Sequence, residues 1–243
     1  MLAQPTDTTC GPTCLHAVYR FHGESLPLQQ VIDEVPKLAD GGTLAVNLGL
    51  HALGRGYDAL LHSNNLLVFD PTWCDETGEC EPGLLLEKLE QRHAVSEDPK
   101  LRDAIGAYSR FVELGGRVRL DEFSSQLFLD HLTHERPILA GLSSTWLYRS
   151  ARERYEGDKA IYDDIAGSPQ GHFVVLAGYD EASARVRVAD PYLPNPLGEE
   201  HHYSVSVDRA LNAILLGVLT YDANLLVITP RQVLAPRETG APA

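Results

Sequence analysis

Apolar positions recur at helical spacing through the first half of the chain and form strand-length runs in the second. In residues 11–22, GPTCLHAVYRFH, the apolar residues Cys14, Leu15, Val18, Tyr19 and Phe21 fall close to one helical face. Pro12 suits the first turn of that helix and Gly23 its end. This places Cys10 at or just before a helix N-terminus, with Thr8 or Thr9 as the cap. Further helices are predicted over 27–38, where Leu28, Val31, Ile32 and Val35 share a face, and over 43–55, 83–93, 99–114 and 124–134. Short strands are predicted at 59–62 and 66–69, around Ser63-Asn64-Asn65.

From Pro137 the pattern changes. Residues 137–142 read as a buried strand, and the polar, aromatic stretch 145–170 as a long loop. His172–Tyr179 and Arg185–Ala189 read as two strands joined by a turn at 180–184, with further strands at 202–207 and 224–229 and a loose tail from Leu234. Helices first and strands later define an α+β class: an N-terminal helical lobe packed on a C-terminal antiparallel β-sheet lobe. We expect one domain over 1–233, with a helical insertion at about 70–135.

Charge adds little to the fold but narrows the partners. Twenty Lys and Arg stand against 34 Asp and Glu in 243 residues, a formal net charge of −14. Such a surface repels nucleic acid and anionic membranes and tolerates a basic or neutral substrate; it also keeps a protein in solution. Met1–Asp7 has neither the basic nor the apolar region of a secretory signal. Leu211–Ile228 is interrupted by Tyr221, Asp222 and Asn224 and is too polar to span a bilayer. A cytoplasmic setting is expected, and in that setting the four cysteines should not form a disulfide framework.

Four residues carry candidate chemistry. A thiol at a helix N-terminus, as at Cys10, feels the positive end of the helix dipole and free backbone N–H groups, which favour thiolate. Gly11 beside it would let a substrate approach the backbone. An isolated Cys-Gly pair is more often a core cysteine, so Cys10 needs partners. Gln4 carries an amide donor that can face a developing oxyanion. His172, at the mouth of an apolar strand, needs a polar partner. Asp190 supplies one: a turn centred between Glu181 and Ala182 pairs residues whose numbers sum to about 363, setting His172 opposite 190 or 191.

Together Gln4, Cys10-Gly11-Pro12-Thr13-Cys14-Leu15, Gly171-His172 and Asp190-Pro191 resemble the C39-like peptidase family of the papain-like superfamily. The resemblance covers roughly residues 1–60 and 136–206. It implies a papain-like fold, with Cys10 as nucleophile, His172 as base and acid, Asp190 as orienting residue and Gln4 as oxyanion donor. Cys14 matches the family's second cysteine, which faces the core and is not catalytic. The segment at about 70–135 has no counterpart in the compact domains of bacteriocin exporters. No membrane or ATP-binding segment follows, so an export role is not supported.

Other signals count for less. Cys74 and Cys80 lie in WCDETGEC, read as surface thiols without zinc spacing. His201 and His202, adjacent on a strand, point to opposite faces. His131 and His134 share a helical face and are read as solvated. Neither a cofactor nor a metal is expected. The expected function is hydrolysis of a peptide or amide bond by a Cys-His-Asp triad through a thioester. The alternatives are acyl transfer to an amine, a silent peptide-binding domain that would have no need of the four residues, and a Cys10–Cys14 redox pair, whose helical geometry disfavours a disulfide.

Overall fold

The alternating apolar runs of the second half become the centre of one sheet. A computed structural model describes residues 1–38, 41–157, 159–220 and 223–231. The first half holds α1 (Cys10–Phe21), α2 (Leu28–Glu34), α3 (Ala45–Gly54), β1 (Tyr57–Ser63), α4 (Pro82–Val95), α5 (Pro99–Glu113), β2 (Arg117–Arg119) and α6 (Ser125–Leu132). The second half holds β3 (Ile138–Ser143), α7 (Ser144–Tyr148), β4 (Glu153–Glu156), β5 (Lys159–Tyr162), β6 (Gly171–Asp180), β7 (Arg185–Ala189), β8 (His202–Ser206), α8 (Val207–Leu216) and β9 (Asn224–Pro230).

The main sheet has seven strands in the order β2-β1-β9-β3-β6-β7-β8, while β4 and β5 pair apart from it. All its neighbours are antiparallel except β1 and β2. β1 and β2 come from the first half, so the sheet lobe recruits strands from the helical one. Successive residues face opposite sides of a strand. On β6, Phe173 and Val175 join a core with the first five helices, and Val174 and Leu176 join a second core with α6, α7 and α8. On β9, Leu226 and Ile228 face the first core, and Leu225 and Val227 the second. The result is an α+β fold with helices on both faces of the sheet.

Several expectations change at the element level. The helix over 27–38 stops at Glu34, because the approach to Pro36 forces Val35 into extended backbone. Leu66–Phe69 forms turns, not a strand: the Asn65 side chain accepts from the Leu67 N–H, and its carbonyl accepts from Val68 and Phe69. Residues 145–170 hold α7 and the β4–β5 hairpin, not a structureless loop. The short strand β2 and helix α8 were not anticipated. The tail from Leu234 lies outside the described residues, as do Tyr221 and Asp222.

Two side-chain readings are also corrected. Cys74 and Cys80 are joined in a disulfide beside the start of α4, and Cys80 is buried. The five residues between them bring the two thiols together, so they are not separate surface groups. His131 is not solvated: it is 6% exposed, and its Nε2 lies 2.9 Å from Nε2 of buried His62. His62 Nδ1 in turn lies 2.5 Å from an Asp121 oxygen. His134, in the turn after α6, is exposed.

This buried chain predicts acid sensitivity. Burial, then the fields of His62 and Arg136, lower His131 to about 4. Against its own burial, Asp121 is held down to about 2 by hydrogen bonds from His62 and Arg119. A histidine with a depressed folded value loses stability as pH falls from its unfolded value toward the folded one; a depressed carboxylate loses it below its unfolded value. Unfolding free energy is therefore expected to fall from about pH 6.5 downward, by up to roughly 3 kcal/mol from His131 by pH 4. Urea melts across this range should show the slope in the native chain and lose most of it in His131→Leu. An equal slope in both proteins would refute the assignment.

Candidate active site

α1 carries Cys10 as its first residue, half-buried. Thr9 occupies the cap position but does not cap with its side chain; its hydroxyl donates to the Thr6 carbonyl at 2.8 Å. The helix has no acidic residue in its first turn, so the positive dipole end at Cys10 is not neutralised there.

Packing one turn further in fixes where Cys10 points. A Cβ on Gly11 would lie 2.7 Å from a Thr43 methyl and 3.3 Å from the Phe173 ring. Gly11 is therefore needed for helix-on-sheet contact and is buried, rather than left open for substrate. Cys14, fully buried, donates its thiol to the Phe173 carbonyl at 3.2 Å. With Gly11 and Cys14 seated on Phe173, their neighbours Cys10 and His172 meet at the end of β6. Both line one cleft there, and the thiol is near enough to help raise the His172 pKa.

His172 is 7% exposed, and its Nε2 lies 2.9 Å from an Asp190 oxygen. That bond leaves Nδ1 for the thiol. The predicted His172–Asp190 contact is present, but not by direct opposition. Pairs beyond an irregularity between Leu176 and Gly178 run Leu176↔Val188 and Val175↔Ala189, so their numbers sum to 364 and Asp190 continues opposite Val174. His172 reaches it diagonally, since residues 172, 174 and 176 share one side of β6, as do 186, 188 and 190 along the β7 direction.

Asp190 is fully buried, and its charge is met by four donors. Oδ1 accepts from His172 and from the Tyr192 N–H at 2.9 Å. Oδ2 accepts from the Tyr148 hydroxyl at 2.8 Å and the Tyr203 hydroxyl at 2.6 Å. Sequence reasoning missed both tyrosines. Tyr148 fell in the segment read as loop. Tyr203 was within reach, since it sits on the strand beside β7 and a buried carboxylate demands several donors.

The electrostatics follow from this shell. Burial works against protonated His172, but the Asp190 carboxylate outweighs it, helped by Cys10, and raises His172 to about 10. Burial likewise opposes ionised Asp190, yet His172, Tyr203 and the Tyr192 N–H hold its pKa below the ordinary value. Burial pushes the Cys14 thiol well up.

Gln4 stands on the same side. Its backbone N–H donates to the Pro191 carbonyl at 2.9 Å, tying the N-terminal segment to the loop after Asp190. Its amide nitrogen donates to the Thr6 carbonyl at 3.0 Å, and its Oε1 is buried with no donor. Cys10 and His172 open into a cleft of about 830 Å³ whose walls include Thr43, Gln170, Phe173 and Leu219. Among the described residues no group of three or more potential ligands could hold a metal, and no helix is long and apolar enough to cross a membrane.

The site is thus a cysteine at a helix start that shares a cleft with the histidine of a buried His172–Asp190 pair. Residues 86–212, just over half the chain, match the Peptidase_C39 like family, and the chain belongs to that family. The matched segment contains His172 and Asp190, includes α5 and α6, and begins beyond Gln4 and Cys10. No curated protein matches the chain. Among solved structures it resembles a double glycine motif protease from an AMS/PCAT transporter, crystallised with the leader peptide, at 14% identity and a TM-score of 0.42 over 95% of this chain and 91% of that one. A likeness at that level transfers neither substrate nor mechanism.

Proposed function

We propose that this chain is a thiol-dependent hydrolase of peptide or amide bonds in which Cys10 is the nucleophile, His172 the proton carrier, Asp190 the residue that orients and charges His172, and Gln4 an oxyanion donor. The observation that carries the reading is the meeting of Cys10, at the un-neutralised start of α1, with the buried His172–Asp190 pair at a cleft. In this reading the Cys10 thiolate attacks the carbonyl carbon and the developing oxyanion meets the Cys10 N–H and the Gln4 amide. The C–N bond breaks as His172 passes its proton to the leaving amine. Water then attacks the thioester, giving a proton to His172 and releasing the acid.

The substrate is taken to be a peptide or amide conjugate, with nucleic acid and membrane excluded by the net charge of −14. For the compartment, the cytoplasm expected from Met1–Asp7 has one feature against it, the Cys74–Cys80 bond, which belongs to oxidising surroundings.

The test is labelling by iodoacetamide at neutral pH, read by peptide mass. Cys10 should be modified first and His172→Ala should slow it. Cys14, buried and raised in pKa, should be modified only after unfolding. Faster modification of Cys14 than of Cys10 in the folded chain would reverse the assignment.

A further inference from the structure

The β4–β5 hairpin stands apart from the main sheet and turns one face to the reacting pair. Glu153 is paired with Tyr162 and Tyr155 with Ala160, so these four side chains share that face. All four line a cavity of about 180 Å³, with His172, Gln4, Asp7, Tyr148 and Tyr192 among its other walls. Cys10 is on the wall of the larger cleft and not of this one. Of the two, it is His172, the residue that would protonate the leaving amine, that borders this cavity.

Its chemistry is one-sided. Two carboxylates, Asp7 and Glu153, share it with four tyrosines, Tyr148, Tyr155, Tyr162 and Tyr192; no Lys or Arg lines it, and its one cationic group is His172, which Asp190 already neutralises. Three cations close in sequence are engaged elsewhere. Arg149 stacks on Trp146 at 4.5 Å, Arg152 donates to the Asp164 and Ile165 carbonyls, and Arg154 pairs with Glu156 and Asp163. Burial and then Asp7 raise the Glu153 pKa. Three of the rings are left bare: Tyr155 and Tyr162 are 55% and 56% exposed and Tyr192 37%. Independently of the carboxylates, Gln4 brings to the same wall a buried Oε1 that lacks a donor.

Aromatic faces around paired carboxylates attract a cation that carries some apolar surface. We infer that this cavity is a subsite for a positively charged group, a basic side chain or an amine, on the leaving-group portion of the substrate. The inference rests on Cys10 and His172 being the reacting pair. It adds a chemical class of substrate: amides whose departing half is cationic. The overall acidity of the chain favours the same ligands.

Two measurements on the full chain test it. The first compares alkylation of Cys10 by two chloroacetamides, one with a butyltrimethylammonium group on the amide nitrogen and one with its uncharged carbon isostere. The cationic reagent should have a kinact/KI higher by about tenfold at low salt. The preference should shrink with added salt and vanish in Asp7→Asn/Glu153→Gln. Using the ratio of the two rates within each protein cancels any general change in thiol reactivity. The second titrates tetramethylammonium into Cys10→Ala and follows the tyrosine ring resonances, which should shift in that protein and not after Asp7→Asn/Glu153→Gln is added. A rate ratio near one, with Cys10 still labelled by iodoacetamide and no ring shifts, overturns the subsite and leaves the nucleophile standing. Ring shifts without any labelling of Cys10 support the cation site and overturn the hydrolase reading instead.

Discussion

Cys10→Ala and His172→Ala are each expected to abolish turnover, with a loss on the order of 10⁶-fold, and the double variant should be no worse than either single. Nucleophile and proton carrier act as one unit, so removing the second after the first takes nothing more away. Gln4→Ala should cost less, on the order of 10²–10³, the usual scale for a single oxyanion donor. Cys14→Ser supplies the contrast. Its thiol is buried in the helix–sheet contact and donates to the Phe173 carbonyl, so the variant should lose stability and keep its rate per folded molecule. Single-turnover rates on a cationic peptide amide, normalised to folded protein, make the comparison. If Cys14→Ser is inactive while Cys10→Ala still turns over, the two cysteines have been given the wrong roles.

How far these roles were legible in the sequence depended on whether a local rule decided them. α1 was legible because apolar spacing, Pro12 and Gly23 agree, and with it the position of Cys10. The approach of His172 to Asp190 was legible from strand arithmetic, although the irregularity after Leu176 shifted the register and the contact is diagonal. Gly11 was misread because its need is tertiary: only the folded chain brings Thr43 and Phe173 against it. Thr9 was misread because its hydroxyl has a competing carbonyl, that of Thr6, within reach. The β4–β5 hairpin was invisible to periodicity because its strands, ERYE and KAIY, show no alternation of apolar and polar positions, and the segment therefore read as loop. His131 was misread because its burial comes from His62, sixty-nine residues away in sequence. The Cys74–Cys80 bond was set aside on an assumption about compartment, which the spacing of the two residues does not test.

Asp190 carries the other large expectation. It is fully buried, lies against His172, and is held by Tyr148, Tyr203 and the Tyr192 N–H. Asp190→Ala removes the counter-charge of His172 and orphans two tyrosine hydroxyls, which should cost about 3–5 kcal/mol, the range for breaking one side of a buried pair. Asp190→Asn keeps the shape, but its NH₂ must face two hydroxyl donors or the His172 N–H. It should retain partial activity while losing about 1–3 kcal/mol for unsatisfied groups. The pH profile separates an electrostatic role from a merely structural one. Asp190 is what raises His172 to about 10 against its own burial. With that charge gone, burial is left to dominate and the His172 pKa must fall, so the alkaline limb of Cys10 alkylation should move to lower pH in Asp190→Asn. Tyr148→Phe and Tyr203→Phe each take one donor from the carboxylate and leave its charge in place. Each should cost about 1.5–3 kcal/mol, the scale of a hydrogen bond to a charged group, while the alkaline limb stays high. Chemical denaturation and alkylation-rate profiles on the four variants give both readouts. An alkaline limb unmoved in a folded Asp190→Asn would mean that Asp190 holds His172 in place without setting its charge.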